Sequence, residues 1–143
     1  MTATEQDRVY DQIRDAGGRI TVTTRTVVAI LLDAERHLTA DDIIDAAERR
    51  SPGIAPSTVY RILQRLDDLG IVEHVHSGHG PAFYHLRERG HAHLVCSQCG
   101  DIIDIPDRML DSLGQTIRRR YRFTIETRHT ALSGLCESCA ARH

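Results

Sequence analysis

Pro56-Ser57-Thr58-Val59-Tyr60-Arg61-Ile62-Leu63-Gln64-Arg65-Leu66-Asp67-Asp68-Leu69-Gly70, followed at once by Ile71-Val72-Glu73-His74-Val75, is the stretch that decides the fold. Pro56-Ser57-Thr58 opens a helix that runs from Thr58 to Leu69, since Val59, Ile62, Leu63, Leu66 and Leu69 recur at helical spacing and form one apolar side. Tyr60, Arg61, Gln64 and Arg65 fall mostly on the other side. Gly70 stops the helix. Ile71 to Val75 and Ala82 to Leu86 then read as two short strands around the turn Ser77-Gly78-His79-Gly80-Pro81.

Upstream, His37-Leu38-Thr39-Ala40-Asp41-Asp42 opens another helix, with Thr39 as N-cap and acids in the first turn, where the helix dipole favours them. That helix runs to about Arg50 and meets a break at Ser51-Pro52-Gly53. Before it, Thr23 or Thr24 caps a helix through Leu32 whose apolar side is Val27, Val28, Ile30 and Leu31. Glu5 to Ala16 reads as the first helix, closed by Gly17-Gly18. Helices followed by a β-hairpin make a winged-helix layout.

After Arg87-Glu88-Arg89-Gly90 the pattern changes. His91 to Val95 and Asp101 to Ile105 read as strands flanking a Cys-x-x-Cys-Gly knuckle, Asp107 to Tyr121 as a helix, and Phe123 to Leu132 alternates like a strand. The expected class is therefore α+β, a winged-helix domain over 1–86 followed by a small α/β dimerisation domain over 87–143, with a hinge near 86–90.

With 41% hydrophobic and 27% charged residues, the 143-residue chain has material for an ordinary core, which excludes wholesale disorder. No apolar run approaches the roughly 20 residues that span a bilayer, and the first fifteen residues lack the basic start and apolar stretch of an export signal. A cytoplasmic protein with no membrane partner is expected. Residues 1–86 carry nine arginines against thirteen acids, and residues 87–143 nine against seven. DNA contact must then come from a few placed arginines and helix N-termini rather than a broad basic field.

The four cysteines form two pairs of identical spacing, Cys96-Ser-Gln-Cys99 and Cys136-Glu-Ser-Cys139. Two residues between sulfurs let one tight turn aim both thiolates at one ion, and two such knuckles complete a tetrahedron around Zn²⁺. Disulfides are the competing reading, disfavoured in a reducing compartment.

Six of the nine histidines lie between His74 and His93. On strands, His91-Ala92-His93 and His74-Val75-His76 each place two imidazoles on one face, half of a metal site. His37, Glu73, His79, His85, Asp104 and His129 are candidates for the remainder. An ion shared between His37 or His85 and the His91–His93 pair would tie the two halves together and select one orientation of the DNA-reading parts.

His37-Leu-Thr-Ala-Asp-Asp42, Ser57-Thr-Val-Tyr-Arg61, His91-Ala-His-Leu-Val-Cys-Ser-Gln-Cys-Gly100 and Cys136-Glu-Ser-Cys139, in this order and spacing, resemble the ferric uptake regulator family. The resemblance runs from about Gly18 onward. It implies a homodimeric repressor that binds an inverted-repeat operator when loaded with metal. By position it makes Cys96, Cys99, Cys136 and Cys139 structural zinc ligands, and His37, His85, His91, His93 and Asp104 ligands of a regulatory divalent metal, Ni²⁺, Fe²⁺ or Zn²⁺. It places Arg19, Arg25, Ser57, Thr58, Tyr60 and Arg61 at the DNA, with Tyr60 and Arg61 beginning the major-groove helix.

The chain also departs from that pattern. Where members commonly read Thr-Pro-Gln-Arg it has Thr21-Val-Thr-Thr24 and then Arg25, so the usual basic contact is moved or missing. His85 stands where iron-type and peroxide-sensing members usually carry a carboxylate, and Ala92 leaves an accessory site incomplete, with Asp111 and His129 remaining. The run Glu73-His-Val-His-Ser-Gly-His-Gly80 resembles the nickel-sensing branch, which implies a further metal site of His74, His76 and His129.

A zinc hydrolase would need an open zinc position and a placed general base; four cysteines close one site and no His-Glu-x-x-His is present, so an enzyme is not expected. The alternative is a zinc-stabilised protein-interaction module without direct DNA binding, which the acidic N-terminal half favours. Arg65 either contacts phosphate or pairs with Asp68. Arg118-Arg119-Arg120 reads as a solvated helix end, and Tyr121 and Phe123 as dimer-core residues.

Overall fold

The computed structural model describes residues 4–76, 80–87, 91–127 and 130–142. They divide into two compact units, Met1–His74 with Phe83–Arg87, and Val75–Ala82 with Glu88–His143.

Helix α1 spans Glu5–Asp15, opened by a reciprocal cap in which Thr4 Oγ1 accepts from the Asp7 N–H and the Asp7 carboxylate accepts from the Thr4 N–H. Helix α2 spans Val22–Asp33. Its N-cap is Thr21, a correction to the expected Thr23 or Thr24: Thr21 Oγ1 accepts the Thr24 N–H at 3.1 Å, while Thr24 itself turns into the core at 8% exposure. Three threonines can each cap, and the one chosen leaves Val27, Val28, Ile30 and Leu31 pointing inward.

Strand β1, Leu38–Thr39, leads into helix α3, Ala40–Arg50, where Thr39 and Asp42 repeat the reciprocal cap. Helix α4 spans Pro56–Asp68, beginning two residues before Thr58 because proline's fixed φ and missing N–H suit the first helical position. It ends on Gly70 at φ +72°, where the Gly70 N–H reaches the Asp67 carbonyl and the Ile71 N–H the Leu66 carbonyl, each at 2.9 Å. A side chain at position 70 would be strained in that left-handed conformation. Strands β2, Val72–His76, and β3, Ala82–Leu86, follow, and the sheet order is β1-β3-β2. Ile13, Val27, Val28, Ile43, Val59, Leu63, Leu66 and Val72 form a core at 2% exposure or less. Helices α2 to α4 with this small sheet are the winged-helix arrangement.

In the second unit, β4, His91–Cys96, lies between β5, Ile102–Pro106, and β6, Ala131–Gly134. The β4–β5 pairing is antiparallel with His93 opposite Asp104; β4–β6 is parallel with Cys96 beside Gly134. The helix expected over Asp107 to Tyr121 begins as a tighter turn, Asp107–Leu110, and becomes α5 at Asp111–Tyr121.

The strand expected over Phe123 to Leu132 is corrected. Helix α5 ends on Arg122 at φ 51° and residues 122–126 are irregular; residues 128 and 129 lie outside the described residues, and among those described after α5 only Ala131–Gly134 pairs. Alternation marks an apolar side but supplies no ladder partner, and β4 offers one only to those last residues. A short helix α6, Glu137–Ala140, ends the described fold. No residue of α5 is buried, and Met109, Leu113, Tyr121, Phe123, Leu132 and Leu135 are exposed in the protomer. A helix of this length draws its stability from packing, and an apolar set left exposed beside it suits a further partner.

Candidate metal centres and nucleic-acid interface

The parallel register of β4 and β6 delivers the second knuckle to the first. The Ser97 N–H donates to the Gly134 carbonyl at 2.9 Å, two residues before Cys136, and Gly100 at φ +80° folds the first knuckle back so that its N–H meets the Cys96 carbonyl. Cys136 caps α6 and Cys139 lies inside it. The sulfurs of Cys96, Cys99, Cys136 and Cys139 all lie within 4.8 Å of one another, and those of Cys99 and Cys136 are 3.8 Å apart. A tetrahedron with Zn–S bonds of about 2.3 Å has edges of about 3.8 Å, so the set fits Zn²⁺. All four are free thiols, which removes the disulfide reading.

Backbone N–H groups of Cys99, Cys136 and Gln98 aimed at Cys96 bring its thiol down to about 6. Cys139, crowded first by the Cys136 thiol, is pushed up to about 12. At Cys99 the Asp101 N–H favours the thiolate, but the Cys96 sulfur, burial and the Cys136 sulfur raise the pKa. Four sulfurs this close ionise together only when a cation balances them.

In the first unit, the β1–β3 register sets Leu38 opposite Tyr84 and so aims His37 at His85. Their rings meet edge to face, centroids 4.9 Å apart and planes at 77°. His85 Nδ1 donates to the Leu86 carbonyl at 2.8 Å, so Nε2 is the nitrogen that could ligate a metal. The Glu73 carboxylate, 5% exposed, lies 3.3 Å from Arg87 Nε, which balances its buried charge, and 3.5 Å from His85 Nε2. This Glu73–Arg87 pairing left no signal in the alternation of the strand, where Val72 and Glu73 are both buried.

In the second unit, His93 is fully buried and its Nδ1 donates to Asp104 Oδ1 at 2.8 Å, the contact expected from residues directly opposite on β4 and β5. That bond orients the ring so that Nε2 is the nitrogen that could ligate a metal, an arrangement common at metal-bound histidines. His91 lies two residues earlier on β4; its side chain is outside the described residues, as are His79 and His129. His74 and His76 alternate to the exposed side of β2, and His74 Nδ1 pairs with Asp67 of α4 at 3.1 Å.

The DNA-facing candidates gather on α4 and at the start of α2. Ser57 and Arg61 are exposed, Tyr60 is 48% exposed, and Thr58 is partly covered. Asp68 accepts from Gln64 at 2.9 Å, while the guanidinium of Arg65 packs on Gly18, where a Cβ would come within 2.8 Å of it. Arg19 is exposed on the following residue. Arg25, also exposed, holds its guanidinium carbon 5.1 Å from the ring centre of Tyr10. Tyr10 was not among the sequence candidates; its signal is that it is the one aromatic residue before Tyr60.

Residues 15–133 match the model of the Ferric uptake regulator family. The chain is 33% identical over 138 residues to the ferric uptake regulation protein of Bacillus subtilis, covering 93% of each. It is 29% identical over 135 residues to the peroxide-responsive repressor PerR of Staphylococcus epidermidis, covering 94% of this chain and 90% of that one. The ferric uptake regulator of Vibrio cholerae superposes at a TM-score of 0.72 with 28% identity, over 88% of this chain and 98% of that one. That of Helicobacter pylori, at 19% identity, shares the fold with a TM-score of 0.80 over 98% and 97%.

The chain is accordingly a transcription regulator by family rather than an enzyme, and its four cysteines fit a structural zinc site. No helix among the described residues is long and apolar enough to cross a membrane. By sequence over most of its length and by fold over nearly all of it, the chain belongs to the ferric uptake regulator family.

Proposed function

We propose that this chain represses genes of metal homeostasis or stress from an inverted-repeat operator when an imidazole-rich site is filled, with Ni²⁺ ahead of Fe²⁺ and Zn²⁺ as the sensed ion. It acts in the cytoplasm, reads DNA through residues 1–86 and dimerises through residues 87–143. The regulatory ion is held by His37, His85, His91 and His93 with Asp104, and α4 enters the major groove through Ser57, Thr58, Tyr60 and Arg61, supported by Arg19 and Arg25. The supporting observation is His85: an imidazole fixed by its Nδ1–H···O=C bond to Leu86 occupies the place where the family's iron-type and peroxide-sensing members usually present a carboxylate. Nitrogen-rich sets suit nickel and zinc better than the harder cations. The resemblance to the nickel-sensing branch adds His74, His76 and His129 as a further metal site.

Metal analysis of the purified protein joined to a DNA-shift titration with Ni²⁺, Fe²⁺, Mn²⁺ and Zn²⁺ tests this reading. Nickel is expected to promote operator binding at the lowest free concentration. Binding that survives chelation of the exchangeable ion, or that responds to iron alone, overturns it.

A further inference from the structure

The first turn of α2 turns two adjacent residues to different environments. Thr24 is 8% exposed, with its hydroxyl 2.9 Å from that of Thr21. One residue on, about 100° around the helix, Arg25 emerges to solvent. Its guanidinium is not loose: it stacks over the Tyr10 ring at 5.1 Å, inside the range of cation–π attraction. The ring is held in turn. Tyr10 is 6% exposed, packed in the core with Val9 and Ile13, and its hydroxyl accepts from Gln6 Nε2 at 2.7 Å one turn earlier on α1. Among the described residues no carboxylate lies within 4 Å of Arg25, so nothing anionic neutralises it.

An aromatic face leaves the guanidinium edge and its N–H donors open while restricting the rotamers of a long side chain. The rotamer freedom that an exposed arginine would lose on meeting a phosphate is then partly lost beforehand. We propose that Tyr10 is a positioning residue for nucleic-acid binding, holding Arg25 ready for a phosphate of duplex DNA. This rests on the reading above that Arg25 contacts DNA.

Because a phosphate contact is independent of sequence, a mixed-sequence duplex is the probe, titrated against the metal-loaded full-length dimer over a range of salt. Arg25→Ala is expected to lower the slope of log affinity against log salt by about one. Tyr10→Leu should weaken binding about two- to fivefold, Tyr10→Phe should bind like the parent, and adding Tyr10→Leu to Arg25→Ala should cost nothing more. Ring-current displacement of the Arg25 side-chain protons, present in the parent and in Tyr10→Phe, reads the stack directly even where Tyr10→Leu melts early. Tyr10→Phe as weak as Tyr10→Leu, an equal loss in the Arg25→Ala background, unshifted Arg25 protons, or an unaltered Arg25→Ala each overturns the proposal. If Arg61→Ala weakens duplex binding while Arg25→Ala does not, only this inference fails; if the parent binds no duplex, the DNA-reading assignment fails with it.

Discussion

Asp104 accepts the Nδ1 proton of the fully buried His93 across the β4–β5 ladder at 2.8 Å. A partner of this kind fixes which nitrogen faces a metal, and its loss typically costs 10- to 100-fold in affinity. Asp104→Ala is expected to weaken the regulatory ion by about that factor while zinc content is unchanged, measured by competition with a chromophoric chelator. Asp104→Asn keeps an acceptor for Nδ1, so it separates the roles: recovered affinity means orientation, equal loss means direct ligation.

Cys136→Ser should abolish zinc binding and unfold the second unit. Structural zinc contributes apparent binding energies of about 10–16 kcal/mol in small domains, more than the marginal stability of such a unit. Zinc stoichiometry and circular dichroism melting check this, and a variant that melts like the parent contradicts it.

His37→Ala and His91→Ala should keep their zinc and their melting behaviour yet lose the metal response of operator binding, because each removes an imidazole from the regulatory set and none from the thiolate set. A metal response intact in both variants means that the set is misassigned.

Arg61→Ala should weaken operator binding and reduce the salt slope by about one for a phosphate contact, or relax base preference for a groove contact. Arg119→Ala, at the exposed end of α5, is expected to change neither. A comparable loss from Arg119→Ala would move the nucleic-acid surface to the second unit.

The reciprocal cap of α3 carries a pH dependence. The Thr39 N–H, first among its causes, holds the Asp42 carboxyl below its ordinary 3.8. A folded-state pKa below the unfolded one stabilises above the ordinary value, and that stabilisation is lost as pH falls through the depressed one. The stability gap between the parent and Asp42→Asn should therefore be fullest near neutrality and close as the solution is acidified below about pH 4. Thr39→Ala should cost about 1 kcal/mol by thermal melting at neutral pH.

Much of this was legible in the residues themselves. The period of α4, the Thr39-x-x-Asp42 cap and the paired Cys-x-x-Cys spacing are local signals, each fixed by a few neighbours in the chain. What escaped depends on distant partners. Leu38–Thr39 is too short to carry a pattern and is a strand only because Phe83 and Tyr84 lie opposite. Phe123 to Leu132 alternates convincingly, but residues 123–126 have no strand to pair with among the described residues. Glu73 is buried against the polar rule because Arg87, just past the end of β3, comes to it, and Tyr10 escaped because its contact with Arg25 exists only once α2 lies over its ring.

The parallel placement of β6 beside β4 sets an order of assembly during synthesis. Cys99 and Cys136 are separated by 37 positions, so a growing polypeptide holds only half of the thiolates until the later pair leaves the ribosome. Complete capture of zinc by four thiolates therefore follows translation of that later pair. Until that point the earlier knuckle can offer an ion two of its four ligands.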